Sequence, residues 1–378
     1  MDLSFTAAEL AFADEVRDWL DRHLELPPPF SSLDEEIAWG RAWQATLARD
    51  RWVGIHWPSE YGGRDATPVQ VAIFNMEYAR SRALQPVNRV GINLAGPTLL
   101  AHGTDAQKQR WLPGILSAEE LWCQLFSEPD AGSDLASLRT RAEPVDDGWL
   151  LSGQKVWTSY AQFARWGICL ARTDPDAPKH RGISYLVVDM HAPGIEIRPL
   201  VQITGDAEFN EVFLDEVHVP SDHLVGGLHA GWAVANTTLA HERGTSFPFK
   251  EQVVHEVYLD ELYGLALERG ALDDVDVADA LARAFVHVRV LRLHNWRTLS
   301  RLGRGVEPGA ESSVVKLAWT DATQHLSALA LDVEGRGAPL WGKWQRQWLW
   351  SKAASIAGGT SEVQRTIIGE RLLGLPRE

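Results

Sequence analysis

The stretch Ser355-Ile356-Ala357-Gly358-Gly359-Thr360-Ser361-Glu362-Val363-Gln364-Arg365 reads as a loop-to-helix junction, with the final helix beginning near Ser361. Two other stretches stand out beside it: Phe126-Ser127-Glu128-Pro129-Asp130-Ala131-Gly132-Ser133-Asp134 and Gly153-Gln154-Lys155-Val156-Trp157-Thr158-Ser159. Taken singly, each has a bland reading in which Gly132 and Gly153 make turns and Trp157 fills a β core. Their joint occurrence, in one order along one chain, argues for a site.

Outward from these stretches the chain changes texture twice. Residues 1–120 read as helical: Phe5, Ala8, Phe12, Val16 and Trp19 recur at helical spacing behind a Thr6/Glu9 capping-box pattern. Thr67-Pro68 reads as an N-cap and first-turn proline opening a helix through Arg80, just after a Tyr61-Gly62-Gly63 turn. Residues 121–225 break into short β-rich runs, Gly148 to Thr158, Gly167 to Arg172, Ile183 to Asp189 and Val212 to Val219. Residues 226–378 return to long Leu/Ala/Arg-rich segments, notably Val275 to Leu302 and Ser312 to Val333, which predict a helical bundle. The fold class is α+β: a helical N-terminal domain, a central β-barrel-like domain and a C-terminal bundle. Trp341, Trp344, Trp348 and Trp350 read as packing residues or as interface anchors.

Bulk properties exclude several classes of function. At 378 residues and 45% hydrophobic composition the chain can bury a substantial core. With 51 acidic against 36 basic residues its net charge is −15, which disfavours nucleic acid and anionic membranes, so a bound anion needs a local basic pocket. Cys123 and Cys169 form no CxxC pair, which predicts neither a disulfide framework nor a zinc site. The acidic N-terminus and the lack of a membrane-length apolar run lead to an expectation of a cytoplasmic protein. No GxGxxG lies between a plausible strand and helix and no GxxxxGK[ST] occurs, so neither a Rossmann site nor a P-loop is supported.

The three stretches, with Tyr61-Gly62-Gly63, Gly231-Trp232 and Glu242-Arg243, resemble the signatures of acyl-CoA dehydrogenases over nearly the whole chain. A flavin needs donors at its polar edge, a flat wall beside its ring and close backbone approach to its phosphates. The resemblance implies FAD as cofactor, with Phe126 and Ser127 lining the ring and Ser133 on the phosphate side. Trp157 and Ser159 would lie near the reactive nitrogen, and Thr360 and Glu362 of the junction complete the cofactor set. It further implies an acyl-CoA substrate and an electron-transfer flavoprotein as acceptor.

In many members of that family the catalytic carboxylate immediately precedes the Gly-Thr pair, whereas this chain has Gly358 there. Others place a glutamate on the first helix after the β domain, and here that helix ends Leu239-Ala240-His241-Glu242-Arg243. Glu242 follows Leu239 by three and Ala235 by seven, which places it on the apolar stripe, where desolvation raises a carboxyl's pKa as a general base requires. Glu242 is the candidate base, with His241 a weaker one. Arg243 and Gly358 are the candidate substrate contacts, the latter through a backbone N–H that polarises the thioester oxygen.

A second departure concerns the far end of the cofactor. The Arg-x-x-Phe-Gly and Gln-x-x-Gly-Gly patterns that hold it in symmetric family members are missing from Leu259 to Gly264 and from Leu331-Asp332-Val333-Glu334-Gly335, unless Arg269 or Arg283 compensates. Carboxylates where a phosphate should lie point to a non-identical partner subunit, as in the heteromeric acyl-CoA dehydrogenases of actinobacterial steroid catabolism, which act on bulky acyl-CoA side chains. The expected function is FAD-dependent α,β-dehydrogenation of an acyl-CoA. The alternatives are a noncatalytic partner subunit or an acyl-CoA oxidase on the same scaffold.

Overall fold

In a computed structural model, residues 5–242, 246–306 and 309–376 are described, without the side chains of Glu242 and residues 246–249. The N-terminal helices are α1 Ala7–His23, α2 Leu33–Arg49, α3 Pro68–Arg80, α4 Gly96–His102 and α5 Asp105–Ser117. Strands β1 Trp122–Leu125, β2 Arg141–Val145, β3 Gly148–Ser159, β4 Trp166–Arg172, β5 Ile183–Asp189, β6 Ile195–Leu200, β7 Phe209–Pro220 and β8 Leu224–Val225 follow. Helices α6 Gly231–Glu242, α7 Ser246–Glu268, α8 Val275–Leu302, α9 Glu311–Glu334, α10 Lys343–Ser351 and α11 Ser361–Ile367 complete the order. Packing divides the chain into two compact units that cut across sequence order: Pro27–Ala66 with Leu84–Glu242, and Met1–Leu26 with Thr67–Ala83 and Arg243–Glu378.

The first of these holds the sheet, in the order β6-β7-β3-β2-β4-β5-β8 with β1 added in parallel to β4. Its inner face is a core of Leu125, Leu151, Cys169, Leu186, Val188, Val212 and Val217. Cys123 and Cys169 are buried free thiols, and burial pushes Cys169 up to about 11, which keeps it protonated and inert. Helices α2 and α5 are tied to the sheet by two buried amides with every donor and acceptor used. Gln44 Nε2 donates to the carbonyls of Ile115 and Leu116 at 2.9 and 3.0 Å, and its Oε1 accepts the Asn88 N–H at 2.9 Å. Asn88 Nδ2 donates to the carbonyls of Ile115 and Glu120, and its Oδ1 accepts the Trp122 N–H at 3.0 Å, where β1 begins. A saturated network of this kind fixes one arrangement, because any shift strands a buried polar atom. Gly231 lets α6 start directly on β5: a Cβ there would lie 2.4 Å from the Ser184 carbonyl carbon.

The second unit is helical. Thr6/Glu9 and Thr67/Gln70 form capping boxes that start α1 and α3, with Pro68 in the first turn of α3. Phe12, Val16, Trp19 and Leu20 form the buried stripe of α1, and Ala8 is exposed. Glu77 on α3 is buried but paired to Arg17 at 3.0 Å and Arg80 at 2.8 Å. Helices α7, α8 and α9 meet over Leu262, Ala266, Val288, Leu326 and Ala330, and Trp344 of α10 closes this core. The tryptophans of that segment divide by role: Trp344 packs, whereas Trp341 is 63% exposed. Among the described residues no helix is long and apolar enough to cross a membrane, and no group of three or more His, Cys, Asp or Glu could hold a metal ion.

Candidate active site

In the sheet unit, Phe126, Ser127, Trp157 and Ser159 of the predicted cofactor set gather at one end of β3. The pairing of β3 with β7 runs Lys155 to Val212 and then Thr158 to Asn210, so Val156 and Trp157 together face the single residue Glu211. This is a β-bulge, a device that bends a strand and re-aims a side chain. Trp157 sits in the left-handed region at φ +60° and its indole is thrown out of the sheet, 62% exposed and edge-on to Phe209 at 6.0 Å. Tyr160, three residues on, is also left-handed, at φ +54°. Such conformations cost free energy in bulky residues and cluster at functional sites.

The bulge lies against the Phe126–Asp134 stretch. The Val156 N–H donates to the Ser127 carbonyl at 2.9 Å, bringing Ser127 beside Trp157. Ser127 is half-buried, Ser159 is half-buried opposite Phe209, and Ser133 is exposed on the loop leading to a short helical turn at Leu135–Ser137. The Phe126 ring is turned inward, packed edge-on against Tyr185 at 5.9 Å. Thr158 Oγ1 is buried without a hydrogen-bond partner among the described residues.

Glu128 and Lys155 lie inside the two motifs, and nothing in the sequence gives either a task. The structure makes them a buried ion pair. Lys155 Nζ is fully buried and donates to Glu128 Oε1 at 2.9 Å, to the Phe126 carbonyl at 3.1 Å and to the Leu170 carbonyl at 2.8 Å. Glu128 also accepts the Arg139 and Thr140 N–H groups at 2.6 and 2.9 Å. Burial would raise the Glu128 pKa, but the Lys155 charge and these hydrogen bonds overcome it and hold the carboxyl below its usual range. The pair fastens the Phe126–Ser127 corner to the strand that carries the bulge.

Helix α6 closes the same unit. Gly231, Val234, Ala235 and Thr238 are its buried positions, while Ala233, Asn236, Ala240 and His241 are exposed. Glu242 is its last residue, one turn beyond Thr238 and two beyond Ala235. Its side chain and all of Arg243 lie outside the described residues.

In the helical unit, the Ser355–Arg365 junction is built around paired glycines. Gly358 and Gly359 are left-handed, at φ +65° and +92°. Thr360 caps α11 by accepting the Val363 N–H at 3.2 Å, and Gln364 Nε2 reaches back to the carbonyls of Gly358 and Gly359 at 3.2 and 3.3 Å. Glu362 is exposed in the first turn, where its own N–H and the Thr360 hydroxyl hold its carboxyl below the usual range. Helix α9 clamps the approach: Lys316 and Thr320 both donate to the Ala354 carbonyl, at 2.6 and 3.0 Å. Gly359→Ala would place a Cβ 2.7 Å from Gln364 Nε2 in a left-handed backbone. We expect a loss of about 1–2 kcal/mol in denaturant melts, with Gly359 tolerating no L-residue better than another.

The two arginines that could serve the far end of the cofactor differ in setting. Arg283 pairs with Asp279 on its own helix at 2.6 Å. Arg269 donates to the Glu334 carbonyl at 3.2 Å, inside the Leu331–Gly335 segment where Asp332 is exposed.

Family models cover the chain in order: acyl-CoA dehydrogenase N-terminal domain over residues 6–119, middle domain over 123–217 and C-terminal domain over 229–373. The chain therefore belongs to the acyl-CoA dehydrogenase family. It is 42% identical to the acyl-CoA dehydrogenase IpdE1 of Mycobacterium tuberculosis, over 97% of this chain and 98% of that one. It is 45% identical to FadE34 of the same organism over 88% of this chain, but spans only 46% of that longer protein. Among solved structures it is similar to the Tcur3481-Tcur3483 steroid ACAD, with a TM-score of 0.88 and 28% identity over 100% of both chains. It is likewise similar to the ChsE4-ChsE5 complex from Mycobacterium tuberculosis, with a TM-score of 0.85, 32% identity and 100% coverage of both chains.

Proposed function

We propose that this chain is the base-bearing subunit of a heteromeric, FAD-dependent acyl-CoA dehydrogenase acting on a bulky, ring-bearing acyl-CoA thioester. The general activity, acyl-CoA dehydrogenation, comes with the family. The bulky substrate and the non-identical partner are suggested by relatives described as steroid enzymes and as two-component complexes.

The residues present fit a flavin. An exposed indole thrown out by a bulge offers a flat wall, Ser127 and Ser159 offer hydroxyl donors beside the bulge, and Ser133 offers another on the loop that follows Ser127. Phe126 stands beside Ser127 in the same reading, its ring buried edge-on against Tyr185. Thr360 and Glu362 belong to the same cofactor set in this reading. FAD, when bound, supplies the hydride acceptor.

The protein's own part is proton abstraction. Glu242 takes the α-proton, and the Gly358 N–H withdraws charge from the thioester oxygen so that this proton is acidic enough to leave. Arg243 settles charge on the CoA side. The observation that most supports Glu242 is its place on α6, continuing a face whose preceding turns, at Ala235 and Thr238, are buried. Asp332 and Glu334, carboxylates on the segment meant for phosphate, support a partner that completes the adenine end. An electron-transfer flavoprotein as acceptor and a cytoplasmic setting complete the reading.

The test is anaerobic titration of the full chain, alone and coexpressed with a non-identical family homologue. Octanoyl-CoA and the CoA thioester of a steroid carboxylic acid serve as probes. We expect FAD to be retained only in the coexpressed pair and to bleach with the steroid thioester far faster than with octanoyl-CoA. A homomer that holds a full complement of FAD by itself defeats the partner assignment, and equal bleaching by both probes defeats the substrate class.

A further inference from the structure

We propose that Thr238 is a positioning residue for proton abstraction, acting through a one-way chain of three buried hydroxyls that ties helix α6 to strand β5 and to the turn before α4. This inference rests on the reading of Glu242 as the base.

Thr98, Thr238 and Tyr185 are buried on three different elements. Thr98 Oγ1 donates to the Leu94 carbonyl at 2.8 Å, in the π-helical turn Gly91–Ala95 that leads into α4. Thr98 and Thr238 hydroxyls lie 2.8 Å apart, and Tyr185 OH lies 3.2 Å from Thr238 Oγ1. A hydroxyl has a single proton to give, so the contacts order themselves. Thr98 spends its proton on Leu94; Thr238 then donates to Thr98, and Tyr185 donates to Thr238. The Val234 carbonyl, at 3.4 Å, is only a longer alternative for Thr238. Burial pushes the Tyr185 phenol well above its ordinary range, so it remains a donor throughout the working pH range.

The chain sits where the reaction needs rigidity. Glu242 follows Thr238 by one helical turn on the same face. Tyr185 carries the buried Phe126 ring edge-on, and the Phe126 carbonyl is held by Lys155, so the chain links the Ser127 corner to the helix bearing the base. The preceding residue on α6, Thr237, is held by His102 Nε2 at 2.8 Å, one turn along α4 from Thr98. Two adjacent α6 side chains bonded to α4, one of them also to β5, fix the helix against both elements.

Thr238→Val keeps the shape and removes the central link, leaving Tyr185 only its lesser contact with the Thr98 hydroxyl. With the coexpressed, FAD-loaded protein and the steroid CoA thioester as probe, we expect the limiting rate of anaerobic bleaching to fall about 10- to 100-fold. The half-saturating thioester concentration and the FAD content should stay near those of the parent. Thr238→Ser should restore the rate, and Thr238→Val should add no further loss in a Glu242→Gln background. Tyr185→Phe, which keeps the ring, serves if Thr238→Val does not fold and should lower the rate in the same direction. A parental rate in Thr238→Val, or an equal loss in the Glu242→Gln background, overturns the inference while leaving the base assignment intact. Undiminished bleaching in Glu242→Gln alone overturns the base assignment, and this inference with it.

Discussion

Glu242→Gln should leave FAD bound and abolish its bleaching by the thioester, with the rate falling about 10²- to 10⁴-fold. Glutamine has the volume and hydrogen-bonding reach of glutamate but cannot accept the α-proton, so the substitution separates chemistry from packing. The expected loss corresponds to about 3–5 kcal/mol of transition-state stabilisation. Glu242→Asp is the graded companion: it keeps the charge and withdraws it by about one bond length, which should cost about 10²-fold through misplacement alone. Both are read by anaerobic stopped-flow against the flavin absorbance, with FAD content measured on the same sample. Undiminished bleaching in Glu242→Gln would move the base elsewhere, and Gly358 cannot supply it, having no side chain. Complete loss of FAD in both variants would instead assign Glu242 to the binding of the cofactor.

The parts of the fold that follow from local rules were legible in the sequence. A capping box at Thr6 and Glu9 and an N-cap at Thr67 before Pro68 place helix starts where α1 and α3 begin, because a cap is a bond between neighbours. The runs Ile183 to Asp189 and Val275 to Leu302 coincide with β5 and α8 for a similar local reason: a strand buried on both faces shows as a near-continuous apolar run and an amphipathic helix as its own period. What the sequence withheld was everything that depends on a second segment. The Val156–Trp157 bulge exists only against β7, since the extra residue shows as a slip in register and not as a change of composition. Glu128 and Lys155 stand 27 residues apart and read as ordinary surface charge until the sheet brings them together. The packing of α1 and α3 with the C-terminal helices was equally hidden, because an apolar stripe records that a helix is buried and not which helix covers it.

Lys155→Met should be the most destabilising single change in the sheet unit, lowering stability by about 3 kcal/mol or more in denaturant melts. The ammonium is fully buried with each of its three protons donated, so its removal frees the Phe126 and Leu170 carbonyls and leaves the Glu128 carboxylate in the core. Glu128 keeps its bonds from the Arg139 and Thr140 N–H groups, which limits the damage. Glu128→Gln strands the opposite charge and should cost a similar amount, whereas the double variant should cost clearly less than the two single losses added together, because no lone charge remains. A double variant that loses the full sum would mean that the pair acts as two independent hydrogen-bonded groups. The pH dependence carries a separate signature. The Glu128 carboxyl is held below its ordinary value of 4.5 in the folded protein, so the unfolded chain binds that proton first as pH falls. Its contribution is complete above that ordinary value and is lost as pH drops through the folded one. Parent protein should therefore lose stability on acidification more steeply than the double variant, in which neither the carboxylate nor its ammonium exists. Matching acid slopes in the two proteins would place the acid sensitivity of this unit elsewhere, in carboxylates such as Asp134, which Lys179 and Ser137 also hold below the usual range.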